Sequence, residues 1–180
     1  MSPLTTRLDA ILADPLAEAR ARGGIGFVGL DVPQDLAFAL PTACVHLPWH
    51  ADRPTPFADA WLESGFPGWA RSILETWSTG AFDALRTVIF SRGDDASQRL
   101  YYYVRELQRR GRLAGPEARV LDVARIPRAS SLRHTRDALV ELAASLEVDE
   151  PALRVGIERA NRLRDGFASL AAARGRGGAQ

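Results

Sequence analysis

The chain has 180 residues, a length that fits one domain with or without a helical appendage. Its formal net charge of +1 gives no whole-molecule field for nucleic acid, and no apolar run is long enough to span a bilayer. The single cysteine, Cys44, excludes a disulfide within the chain, and the absence of lysine excludes Schiff-base chemistry. The first residues do not match a signal peptide. We therefore expect a cytoplasmic protein with neither nucleic-acid nor membrane partners.

Strands alternate with helices over the first two thirds of the chain, which indicates a mostly parallel sheet. Cys44 falls in an apolar strand, where we expect it to be a small core residue. The predicted fold class is α/β, a small Rossmann-like sheet with flanking helices and a C-terminal helical pair. In chain order we predict helix 5–22 with a break at Asp14–Pro15, strand 25–28, a helix capped by Asp31 and running to about Leu40, strand 42–47, helices 57–62 and 69–77, strand 87–90, a helix capped by Asp94 or Asp95 and ending near Arg110, and strand 120–123.

The last third of the sequence has a different character. Leucines and other apolar residues recur at spacings of three and four, first over 132–146 and then over 153–170. This pattern predicts two amphipathic helices joined at 148–151, with Asp149 as a cap, that pack onto the parent domain or onto a partner. We accordingly predict an α/β domain at 1–128, a helical pair at 129–173 and a flexible tail at 174–180.

The carboxyl ends of parallel strands meet at one rim, which is where such sheets carry their chemistry. This places 29–33, 46–50 and 91–95 together. Asp31, Asp94 and His46 are the candidate catalytic residues, since carboxylates and imidazole can move protons. Each aspartate also precedes a helix, where capping is the simpler role. Candidate substrate-binding residues are Arg71, Ser72, Ser91, Arg92 and Trp49.

Two further patterns are weaker than they look. Gly24, Gly26 and Gly29 spell the dinucleotide fingerprint, but a helix precedes them and they lie along a strand, so we expect close backbone packing instead. His46, His50 and Asp52 could form part of a metal site, yet a proline-rich loop does not present both imidazoles together. We predict no metal site.

Several segments together resemble the 2-hydroxyacyl-CoA dehydratases and the related benzoyl-CoA reductases. They follow one another in the order and spacing of that family's first domain and cover nearly the whole chain. The segments are Gly26–Leu36 with Ala39, Arg71–Leu74 with Gly80, Phe82 and Asp83, Val88–Asp94 with Arg99 and Leu100, Ile126–Arg128 with 139–146, and Leu153–Arg164.

The resemblance implies an enzyme that holds a [4Fe–4S] cluster through cysteines, but the matching positions depart from this pattern. The first and third cysteine positions are Gly29 and Gly93, and the second falls near 66–68, where there is no cysteine. Glycine cannot ligate iron. We expect no cluster and no other cofactor bound by this chain alone, and carry over only Asp94.

Three functions follow as hypotheses. The first is a non-redox accessory subunit that pairs with a homologous cluster-bearing subunit, or with itself, in a dehydratase-like complex. The second is a repurposed, cluster-independent lyase or transferase that acts on a small acid or acyl thioester at the strand rim. The third is a self-associating binding protein without catalysis. Whether the chain is an enzyme is left open by its sequence.

Overall fold

The structure is a computed structural model that describes residues 3–177. Its four strands form one sheet in the order β2-β1-β3-β4, and every neighbouring pair is parallel. The predicted α/β class is therefore confirmed. The strands are β1 (Gly24–Val28), β2 (Ala43–His46), β3 (Leu85–Ser91) and β4 (Glu117–Leu121). The helices are α1 (Pro3–Ala13), α2 (Ala17–Arg22), α3 (Gln34–Ala39), α4 (Pro56–Trp61), α5 (Gly68–Ser78), α6 (Asp95–Arg109), α7 (Ala129–Ser145) and α8 (Glu150–Gly177).

The two central strands are buried on both faces. Gly26 pairs with Val88 and Phe27 with Ile89, so that successive pairs point to opposite sides of the sheet. Every residue of β1 is buried, as is nearly all of β3. This explains why both strands are continuous apolar runs in the sequence rather than alternating ones.

Chain division by compactness gives two units whose bounds differ from the predicted 1–128 and 129–173. The first unit joins the chain up to Val32 to Thr42–Ala138, and the second joins Pro33–Pro41 to Leu139 and beyond. The boundary thus falls inside α7, and the short helix α3 belongs with α8. The long loop closures between these segments leave no local signal in the sequence.

The core of the first unit is aromatic. The ring of Trp77 stacks on Phe90 and meets Phe82 edge-on, and its indole N–H donates to the carbonyl of Ala114 at 2.9 Å. Seven residues of α5 are buried, including Trp77, because the helix packs into this cluster with α4 and α6 beside it. Burial of such rings is a large share of the apolar area that stabilises a small domain.

The second unit is built on a close approach of two helices. A Cβ on Gly156 of α8 would overlap the carbonyl oxygen of Asp35 and would lie 2.8 Å from the backbone nitrogen of Ala39 in α3. Arg164 Nη2 also donates to Asp35 at 2.8 Å, and this guanidinium holds the pKa of the Asp35 carboxyl below its usual value. Glycine at position 156 therefore permits the α3–α8 contact.

Helix caps and ends follow the sequence with two exceptions. Asp94 caps α6 by accepting from the Ser97 N–H at 2.8 Å, and Asp149 accepts from the Ala152 N–H at 2.8 Å. Asp31 is not a cap, because Pro33 occupies the N-cap position of α3. Strand β4 begins three residues before the predicted Val120, since its edge position leaves alternate residues exposed.

The end of α8 extends the predicted helix. Residues 174–177, predicted as part of a flexible tail, are helical, and residues 178–180 lie outside the described part of the chain. Leu163, Phe167 and Leu170 recur on one side of this helix and are exposed, Phe167 by 63 %. Among the described helices, none combines the length and apolar character that crossing a bilayer requires.

Candidate functional site

The chain reverses its direction across the sheet between β1 and β3. After β1 it passes to β2 on one side, and after β2 it returns to β3 on the other side. Loops that leave the carboxyl ends of two such strands diverge, and the crevice between them is the usual ligand site of open parallel sheets. The loops concerned begin at Gly29 and at Arg92, directly after β1 and β3.

Gly29 lies at the bottom of this crevice in a conformation that favours glycine. Its φ is +97°, and a Cβ there would lie 2.6 Å from the Ser91 Cβ, 2.9 Å from Ser97 Oγ and 3.2 Å from Asp94 Oδ2. The backbone therefore passes directly against the start of α6. Gly24 and Gly26 lie within β1, each with a side chain less than 3 Å from where a Cβ would stand. The expected close packing of these glycines is confirmed.

A cavity of about 380 Å³ opens above Gly29. Its size is at the lower end of small-molecule sites in proteins. Three polar side chains contribute to its wall, namely His46, Asp94 and Ser97. The apolar part of the wall includes Phe27, Val28, Leu47, Trp49, Trp69 and Ile73.

Ser97 is the site residue that sequence reasoning missed. Its side chain is fully buried, and its Oγ finds no hydrogen-bond partner among the residues that the structure describes. A buried hydroxyl without a partner is uncommon in a folded protein and calls for an explanation. The available signal was its position three residues after the cap Asp94, in the first turn of the helix that follows β3.

His46 and Trp49 reach the cavity from the end of β2. Burial lowers the pKa of the His46 imidazole, which therefore stays neutral and able to accept a proton near pH 7. Trp49 is 51 % exposed and also borders a neighbouring depression that contains His50 and Arg53. The backbone N–H of His50 donates to Ser72 Oγ at 2.8 Å and so fixes the loop that carries Trp49.

Asp31 is held away from the cavity wall. Arg125 Nη2 donates to both of its carboxylate oxygens, at 2.8 and 2.6 Å, and Asp31 is not among the cavity-lining residues of the described chain. The prediction that Asp31 and Asp94 both serve the rim is therefore not supported by their positions. A Cβ on Gly93 would overlap Asp31 Oδ2, which shows how tightly this ion pair is packed.

Arg71 and Ser72 have structural partners in place of the predicted ligand contacts. The Arg71 guanidinium donates to the carbonyls of Glu63 at 2.6 Å and Phe66 at 3.3 Å and to the Asp59 carboxylate. These bonds tie the start of α5 to the preceding loop. Ser72 is buried and accepts from His50, as described above. Neither side chain lines the cavity in the described part of the protein.

Ser91 and Arg92 end β3 without lining the cavity among the described residues. Ser91 is buried, and its Oγ accepts from the Gly93 N–H at 2.9 Å. Arg92 pairs with Asp122, which also lies 3.1 Å from His134 Nε2. Of the eight predicted site residues, the cavity gathers Asp94, His46 and Trp49.

The positions that the resemblance assigns to cluster cysteines do not fit an iron–sulfur cluster. The Cβ of a cysteine would collide with Ser91 at position 29 and with Asp31 at position 93. Cys44, predicted to be a core residue, is instead exposed on the edge strand β2, and desolvation of its thiol raises the pKa to about 11. Within residues 3–177 no cluster of His, Cys, Asp and Glu has the arrangement of a metal site.

The sequence was compared with family models and with curated proteins, and neither comparison gave a match.

Proposed function

We propose that this protein binds a small molecule with an apolar body in the β1/β3 cavity and acts on it as a cluster-independent cytoplasmic lyase or transferase. The observation that carries the proposal is the buried Ser97 hydroxyl in the wall of a cavity at the strand-order reversal. Apolar walls with a few convergent polar groups are typical of small-molecule sites. The free energy cost of leaving Ser97 Oγ unpaired is recovered when a ligand bonds to it.

The polar groups of the wall supply the means for proton transfer. His46 is held neutral by burial and can act as a base, and the Asp94 carboxylate can accept or return a proton. A carbonyl oxygen on the ligand would accept from Ser97 Oγ, which polarises the carbonyl in the direction that α-proton removal or acyl transfer requires. An acyl group, as a thioester or another neutral derivative, supplies this combination of apolar body and carbonyl.

The direct test is a binding screen of short-chain and aromatic acyl compounds against the full chain, followed by Trp49→Ala. Since Trp49 lines the cavity, its truncation is expected to weaken any hit about tenfold, as loss of an aromatic anchor does elsewhere. Trp61→Ala is the matched control, because Trp61 is an exposed tryptophan on α4 outside the described cavity wall. Equal effects of both variants, or no binding by any compound, would contradict the proposal.

An accessory-subunit function is the second candidate, and the exposed stripe on α8 favours it. Leu163, Phe167 and Leu170 present apolar area that a partner subunit would cover. Purification from the native host under gentle conditions, with mass spectrometry of the eluate, decides between the two. A stoichiometric partner that carries cluster cysteines would support this function, whereas recovery of the chain alone would argue against it.

A further inference from the structure

We propose that the ligand of the β1/β3 cavity ends in an uncharged primary carboxamide, and that the site discriminates against the corresponding carboxylate. The inference rests on the proposed function, since it names the chemical class of the molecule bound at that site. It follows from the placement of one carboxylate and one hydroxyl around Gly29, and from the charges that surround them.

Two side-chain oxygens converge on the bottom of the cavity. Asp94 Oδ1 is occupied by the cap hydrogen bond from Ser97 N–H, which leaves Oδ2 on the side of Gly29. Ser97 Oγ approaches the same point, namely the place where a Cβ on Gly29 would be. A ligand group that enters here meets a carboxylate oxygen and a hydroxyl group side by side.

The two groups ask for different partners. A carboxylate oxygen only accepts hydrogen bonds, so Asp94 Oδ2 requires a donor. The Ser97 hydroxyl has a proton to donate and finds no acceptor in the described part of the chain. A primary carboxamide presents an N–H donor beside a carbonyl acceptor, and it satisfies both groups at once. A thioester or ester satisfies Ser97 alone.

The electrostatics of the wall exclude an anionic end. Asp94 contributes a negative charge, and within the described residues no arginine lines the cavity to balance a second one. The arginines at the same rim are committed elsewhere, Arg92 to Asp122 and Arg125 to Asp31. Two carboxylates facing each other in a largely apolar cavity repel strongly, so a bound acid is disfavoured.

The remainder of the cavity fits an aromatic or short aliphatic body. Trp49, Trp69 and Phe27 provide flat apolar surfaces, and Leu47 and Ile73 fill the space between them. The cavity of about 380 Å³ accommodates one ring with a short linker rather than an extended cofactor. Desolvation of this body supplies the affinity, and the pair of Asp94 and Ser97 selects the polar end.

The test uses compounds matched in shape and different in charge and hydrogen bonding. The probes are phenylacetamide, phenylacetate, N,N-dimethylphenylacetamide and benzylammonium, with hexanamide and hexanoate as a linear pair. Binding to the full chain is measured by titration, with backbone amide NMR shifts of Gly29 and Ser97 to locate it. We expect the primary amides to bind about tenfold or more tightly than the carboxylates and the dimethylamide, because these leave a buried group unpaired or opposed.

Asp94→Asn tests the charge with the cap retained, since asparagine caps helices as well as aspartate does. The variant places an N–H₂ donor where Oδ2 was, so the preference should invert in favour of phenylacetate. Asp95→Asn removes the same charge one residue further on, where the carboxylate pairs with Arg99 at 3.5 Å, and should leave the preference unchanged. Ser97→Ala should weaken the amides and not the carboxylates.

The outcomes separate this inference from the proposed function. Binding at Gly29 and Ser97 with phenylacetate equal to or tighter than phenylacetamide would overturn the carboxamide class and leave the proposed function standing. Tightest binding by benzylammonium would overturn it in favour of a cationic ligand. If no probe shifts these amides up to its solubility limit, the inference and the proposed function both fail.

Discussion

Two buried serines, Ser72 and Ser97, show how the same side chain can stabilise the fold in one place and weaken it in another. Both are 0 % exposed. Ser72 Oγ accepts from the His50 N–H, whereas Ser97 Oγ has no partner among the described residues. A buried hydroxyl that stays unpaired lowers stability, and retention of such a group at a cavity is the pattern expected of a binding residue.

Ser97→Ala is expected to raise the free energy of unfolding by about 1 kcal/mol, because it removes an unpaired buried hydroxyl at little cost in volume. Ser72→Ala should lower it by about 1–3 kcal/mol, because the His50 N–H loses its acceptor. Urea unfolding of both variants beside the parent chain measures the difference. Destabilisation of equal size in the two variants would show that Ser97 Oγ is paired in solution.

At the scale of single elements, the glycines of α8 have opposite surroundings. Gly156 is buried where α8 meets α3, and no atom lies within 4 Å of a Cβ placed on Gly166 in the part of the chain that the structure describes. Glycine lowers helix stability at both positions relative to alanine. Only at Gly156 does the closeness of the neighbouring backbone offset that loss.

Gly156→Ala should therefore lower the free energy of unfolding by about 1–3 kcal/mol, because the added methyl group forces α3 and α8 apart. Gly166→Ala should raise it by about 1 kcal/mol through helix propensity alone. Chemical denaturation followed by circular dichroism would register both changes. A stabilising Gly156→Ala would contradict the α3–α8 contact.

Elements were predictable where their signals are local, and pairings were not. The buried runs of β1 and β3, the break at Asp14–Pro15 and the cap at Asp94 all follow from a few neighbouring residues. The partner of Asp31 is Arg125, which is 94 positions away, and no short pattern marks such a pair. Ser97 escaped notice because an unpaired hydroxyl is a property of packing.

At the scale of the whole molecule, pH acts through His46. Burial lowers its pKa in the fold below the 6.5 of the free side chain, so the unfolded chain takes up the proton first as the pH falls. The stability linked to this group is complete above pH 6.5 and is lost as the pH falls below that value. The sign is thus a decrease in stability with acidification.

His46→Gln should accordingly flatten the dependence of stability on pH between neutrality and about pH 5.5. The matched variant His50→Gln keeps His46 and should retain the slope of the parent chain. Thermal unfolding in a series of buffers at constant ionic strength makes the comparison. An unchanged slope in His46→Gln would place the origin of the acid sensitivity elsewhere.

The composition of the whole chain leads to a prediction about iron. With Cys44 as its only thiol, the chain cannot supply the several thiolates that hold a cluster. Protein purified without oxygen should be colourless and contain no stoichiometric iron by elemental analysis. A visible charge-transfer band with bound iron would refute this expectation and would require thiolates from a second chain.

The glycines at 29 and 93 also limit the paths open to evolution. A change from glycine to cysteine takes a single nucleotide substitution, so a thiol at either position is genetically close. The first position is held at a φ of +97° against Ser91, and the second is closed by the Asp31–Arg125 pair. Either exchange would damage the fold before it could bring a new metal chemistry, and would be removed by selection unless neighbouring residues had changed first.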